Sequence, residues 1–99
     1  MAIVMDMAWE GITQELYEET RRRVDWEGNV PAGAHLHIAR FSPTGIRVTD
    51  VWESQEAFQT FAAERLIPVT STLGIDTQPE VTFGELHALF APNVAAAAR

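Results

Sequence analysis

The chain has 99 residues, 46% of them hydrophobic, a formal net charge of −7 and no cysteine. That length fits one domain burying roughly 60 to 70% of its unfolded surface, and the missing cysteines exclude disulfides, thiolate metal sites and thiol nucleophiles. The acidic balance makes nucleic acid and anionic membranes unattractive partners, and no apolar run nears the roughly 18 residues that would span a bilayer, so a cytoplasmic protein is expected.

Residues 2–7 read as a strand, with Ile3, Met5 and Met7 on one face and Ala2, Val4 and Asp6 on the other. A helix is predicted over 13–24, with Thr13 as N-cap and a stripe of Ile12, Leu16, Thr20 and Val24 beside Tyr17. Its Glu15, Glu18 and Glu19 precede Arg21, Arg22 and Arg23. That order suits the helix dipole and predicts the pairs Glu18 with Arg22 and Glu19 with Arg23, a solvated face and not an anion site. Residues 25–33 carry Gly28, Asn29, Pro31 and Gly33, which is turn chemistry, while Trp26 and Val30 predict that the segment packs down.

Strands are predicted over 34–41 and 45–53, joined at Ser42-Pro43-Thr44-Gly45. The hydrophobic period then changes from 2 to about 3.6 at Ser54, a strand running into an amphipathic helix. Ile46, Val48, Asp50 and Trp52 share the strand face, and Phe58, Phe61, Ala62, Leu66 and Val69 form the helix stripe. The helix runs toward Leu66, is disrupted at Pro68 and has room for a further turn to Leu73. A last strand is expected within 80–90. The largely alanine segment 93–99 has nothing to anchor it and is expected to fray, leaving 1–92 as the domain.

The order βαββαβ predicts an α+β, ferredoxin-like domain, a four-stranded antiparallel sheet with both helices on one face. Both strand parities are apolar, Leu36 and Ile38 against Ala39 and Phe41, so the second face also needs cover. A homodimer packing sheet to sheet would provide it.

Asp50 breaks the apolar face between Val48 and Trp52, and a carboxylate there is costly unless paired or used. If Ser42 pairs with Gly45 across a two-residue turn, opposed residue numbers sum to 87 and His37 faces Asp50, with His35 opposite Trp52. The two could then act as an oriented general base. If Gly45 is left-handed after a type I turn, the sum is 88, Asp50 faces Ile38, and both histidines move to the other face. The binary pattern slightly favours this second register, which gathers Leu36, Ile38, Ile46, Val48 and Trp52 on one face. Structural alternatives also stand: Asp50 satisfied by Arg40, Arg47, a backbone amide or Tyr17, and His87 as a surface or interface residue. His35 and His37 could chelate a metal only with a third ligand such as Glu53, so no metal is expected. Trp52, Trp9, Trp26, Tyr17 and Phe58 would serve as core or as the lining of an aromatic-ligand cavity.

The element order, the junction Val51-Trp52-Glu53-Ser54 with Phe58 and Phe61 following, and the helix end at Leu66 to Pro68 resemble the dimeric α/β barrel superfamily. That superfamily includes cofactor-free monooxygenases of aromatic polyketides, polyketide cyclases, haem-degrading oxygenases and stress-responsive proteins. The resemblance implies a homodimer with a ligand cavity between helices and sheet. Haem-degrading members carry an iron-ligating histidine on or just after the second helix, and residues 54–73 contain none, which argues against haem. The expected function is an enzyme of the monooxygenase or cyclase type, needing neither metal nor organic cofactor and acting on a hydrophobic, aromatic or polyketide-like small molecule. Asp50 and His37 would abstract the proton, while Trp52, His35, Tyr17, Phe58 and His87 would bind the substrate. The alternative is a non-catalytic dimer, a small-ligand-binding or stress-related interaction module. An enzyme requires an open cavity at Asp50; in a structural dimer Trp52, Phe58 and Phe61 would fill that space.

Overall fold

The computed structural model describes residues 1–94. Strand β1 (Ile3–Glu10) leads to helix α1 (Gln14–Val24), strands β2 (Ala34–Ser42) and β3 (Gly45–Trp52), helix α2 (Gln55–Phe61), a π-helical turn (Ala62–Leu66), helix α3 (Ile67–Thr72) and strand β4 (Glu80–Glu85). The sheet order is β2-β3-β1-β4 with every neighbouring pair antiparallel, the ferredoxin-like arrangement. Of segment 93–99, residues 95–99 lie outside the described residues. Among the described residues no helix is long and apolar enough to cross a membrane.

β1 continues past Met7 because the alternation does: Trp9 is buried and pairs with Ile46. Gly11, at φ 84, ends the strand, and its N–H donates to the Thr44 carbonyl at 2.8 Å. Thr13 caps α1 by accepting from the Leu16 N–H, and Ser54 caps α2 by accepting from that of Ala57, both as expected. On α1 the pairing differs in part. Glu19 takes both Arg22 and Arg23, while Arg21 takes Glu18 and, at 2.5 Å, Glu27, so no Glu18–Arg22 pair forms. The Arg21–Glu27 pair ties α1 to the segment carrying Trp26.

The hairpin takes the register whose sum is 87: Ser42 opposes Gly45, Phe41 opposes Ile46, and His37 opposes Asp50. Gly45 is absent from the positive-φ glycines, so it does not make the left-handed bulge of the other register. It is glycine because a Cβ there would stand 2.3 Å from the Trp9 carbonyl oxygen. Ser42 locks the turn, its hydroxyl accepting from the N–H groups of Thr44 and Gly45. An irregularity lies between Ala34 and Leu36, so Ala34, not His35, faces Trp52, and His35 is the extra residue.

Ile3, Met5, Met7, Trp9, Ile46, Val48 and Trp52 thus face the helices, and Phe58 closes on them as the core. The π-helical turn accommodates Pro68, which has no N–H to donate: the Ile67 N–H reaches five residues back, to the Ala62 carbonyl. The wider turn shifts the inward phase by one residue. The fully buried position is therefore Thr70, where the period predicts Val69. On the opposite sheet face Leu36 and Ile38 look away from the helices, and Ile38 is 53% exposed.

Candidate functional site

β3 presents Asp50 and Trp52 as alternate residues of its helix-facing side, so the indole N–H of Trp52 reaches back along the strand to donate to Asp50 Oδ2 at 2.9 Å. Across the hairpin, His37 Nδ1 lies 2.7 Å from Asp50 Oδ1. On the far side of the same imidazole, His37 Nε2 lies 2.8 Å from the hydroxyl of Tyr17, which α1 lowers over the sheet. The two rings stand at 7° to each other, and Trp26 lies against the imidazole with centroids 5.2 Å apart.

Donor and acceptor chemistry orders these atoms. A carboxylate only accepts, so Asp50 takes hydrogen bonds from the Trp52 indole and from His37 Nδ1–H. The neutral imidazole is then left with its lone pair on Nε2, where it accepts from the Tyr17 hydroxyl. Burial pushes the Tyr17 phenol up to about 12, with Arg21 opposing and the charges of Glu18, Glu27 and Asp50 reinforcing the rise, so it holds its proton at neutral pH. Asp50 is buried, whereas the His37 side chain is 34% exposed. No buried side-chain nitrogen or oxygen among the described residues lacks a partner.

Asp50 reaches this satisfied state without an arginine. Arg47 pairs with Glu10 and the Ile46 carbonyl, and Arg40 stands on the opposite face of the sheet. Tyr17 meets His37 and not Asp50, a contact missed in the sequence because the helix phase gives its side but not its reach.

These groups stand in the wall of a cavity of about 230 Å³ between helices and sheet. Tyr17, His35, His37, Asp50, Trp52 and Phe58 all line it, His35 from the irregular start of β2. His87 does not: it is exposed beyond the end of β4. Phe61 joins the wall, so Trp52, Phe58 and Phe61 line the space without filling it, packing on one another at centroid separations of 5.4 to 5.6 Å. The hydroxyls of Thr20 and Thr70 turn inward to the Leu16 and Ile67 carbonyls. Thr20 was legible in the stripe of α1; Thr70 was hidden by the phase shift. The wall is therefore apolar apart from the Tyr17–His37–Asp50 chain, His35 and the indoles. Among the described residues, no three histidine, aspartate or glutamate side chains come together as metal ligands would.

No protein-family model and no curated protein matches the chain. Solved structures do. A protein of unknown function from Nitrosomonas europaea, NE2512, superposes with a TM-score of 0.63 at 17% identity over 92% of each chain. SnoaB, a cofactor-independent oxygenase from Streptomyces nogalater, gives 0.58 at 17% identity over 89% of this chain and 93% of its own. The monooxygenase ActVA-Orf6 of Streptomyces coelicolor, in complex with Nanaomycin D, gives 0.53 at 16% identity over 93% and 92%. The chain thus shares the ferredoxin-like fold of these solved structures, SnoaB and ActVA-Orf6 among them.

Proposed function

We propose that this protein is a small enzyme, working without metal or organic cofactor, that removes a proton from a hydrophobic aromatic or polyketide-like molecule and so commits it to oxygenation or ring closure. The observation that carries the reading is the His37–Asp50 pair in the wall of an otherwise apolar cavity. Asp50 holds Nδ1–H and leaves the basic lone pair on Nε2; as the imidazole takes a proton, the adjacent carboxylate stabilises the imidazolium. The apolar wall favours a substrate whose negative charge spreads over a ring system, and Trp52 and Phe58 offer ring edges and faces to orient it. The neighbours SnoaB and ActVA-Orf6, described as an oxygenase and a monooxygenase, support the same reaction class.

The test is a screen of hydroxylated naphthalenes and anthrones, followed by oxygen uptake and by absorbance. Turnover by the wild type and its loss in His37→Ala is the expected result. Binding without conversion would make the protein a ligand carrier, and full activity in His37→Ala would remove the pair from the chemistry.

A further inference from the structure

Both nitrogens of His37 are already engaged, Nδ1 by Asp50 at 2.7 Å and Nε2 by the Tyr17 hydroxyl at 2.8 Å. A substrate entering the cavity therefore finds no free imidazole nitrogen to receive its proton. The open acceptor is the Tyr17 oxygen, which donates to His37 and has no other hydrogen-bond partner among the described residues. Tyr17 also lines the cavity.

We infer that Tyr17 is the group that meets the substrate, relaying its proton to His37 in a paired transfer. The inference rests on the reading of the His37–Asp50 pair as a base. As the substrate's acidic O–H or C–H bond breaks, its proton forms a new O–H bond on Tyr17. The original Tyr17 O–H bond breaks as N–H forms on His37 Nε2. The electron pair stays on the substrate, the imidazole becomes an imidazolium against Asp50, and Tyr17 remains a neutral phenol throughout. No oxidant or reductant enters this step.

The raised phenol fits that role. Burial holds Tyr17 protonated, so a resident phenolate is not the base, and a stepwise path through tyrosinate is disfavoured against the paired one. Arg21, Glu18 and Glu27 surround Tyr17 on its own side, but Arg21 is held by Glu27 and does not replace His37 as its hydrogen-bond partner.

The test needs no knowledge of the natural substrate. Para-nitrophenol is an acidic phenol whose phenolate is coloured, so its ionisation in the cavity can be read without turnover. Binding to the wild type is expected to lower the dye's apparent pKa. Tyr17→Phe, which removes only the hydroxyl, and His37→Gln, which keeps a hydrogen-bonding side chain, should both bind the dye with its phenolate-to-phenol ratio reduced about 10-fold or more, one unit of apparent pKa. Ionisation retained in Tyr17→Phe but lost in His37→Gln would overturn the relay alone and make His37 the direct acceptor. Ionisation equal in all three proteins, or no binding to the wild type, would overturn the relay and the base reading beneath it.

Discussion

At the scale of the residue, Asp50 decides what His37 can do. Asn in its place can still accept from the Trp52 indole, but its remaining group is an NH₂, which must donate to His37 Nδ1. The imidazole then changes tautomer, carries its proton on Nε2, and loses the lone pair that takes the proton. Asp50→Asn is therefore expected to lose activity by roughly 10²- to 10⁴-fold, the usual contribution of a general base. Its stability should change by less than about 1.5 kcal/mol, because both contacts persist with one polarity reversed. Nitrogen NMR of His37 would show the tautomer directly, and an unchanged tautomer with full activity would make Asp50 structural. Tyr17 carries a second residue-scale expectation. Its neutral form is favoured by folding, since its phenol rises from 10.0 to about 12. The folded state therefore holds a proton that the unfolded chain has lost above pH 10. Tyr17's contribution to stability is complete below pH 10 and is lost as pH climbs toward about 12. Urea midpoints measured across that range should fall in the wild type and fall less in Tyr17→Phe.

At the scale of the element, the strand–helix junction positions the aromatic wall. Ser54 starts α2 two residues after Trp52, and that start places Phe58 5.6 Å from the Trp52 ring. Ser54→Ala is expected to cost about 1 kcal/mol, read as a lower denaturant midpoint at unchanged slope. This junction, the Thr13 cap and the faces of β1 and β3 were legible in the sequence, because each is set by residues within a few positions of one another. The hairpin register was not. A glycine after Ser-Pro-Thr serves either a positive φ or a close approach, and which applies at Gly45 depends on the Trp9 carbonyl of another strand. The binary pattern also misled, since Leu36 and Ile38 lie on the face away from the helices while Ala39 and Phe41 lie toward them. The π-helical turn escaped for a similar reason: Pro68 signals a break, but not whether the helix stops or widens around it.

At the scale of the whole molecule, the face bearing Ile38 and Leu36 stands away from the helices, and we propose that a second copy covers it, sheet to sheet. Sedimentation should then find a dimer, and Ile38→Lys, which sets a charge on that face, should yield a monomer with its secondary structure intact. Each copy carries −7, so association works against like charge and should tighten as salt screens it. A wild type that sediments as a monomer at every concentration and salt would rule the arrangement out.

All three tryptophans of the chain stand in the cavity wall. Trp26 lies 5.2 Å from the His37 imidazole, Trp52 is bonded to Asp50, and Trp9 is held by Thr77. The protein's native fluorescence therefore originates entirely at the site. A charged imidazole beside Trp26 would quench it, and an aromatic guest against Trp52 would shift its colour. Unlabelled compounds can be ranked by emission alone, before any reaction is known: the binding site carries its own reporter.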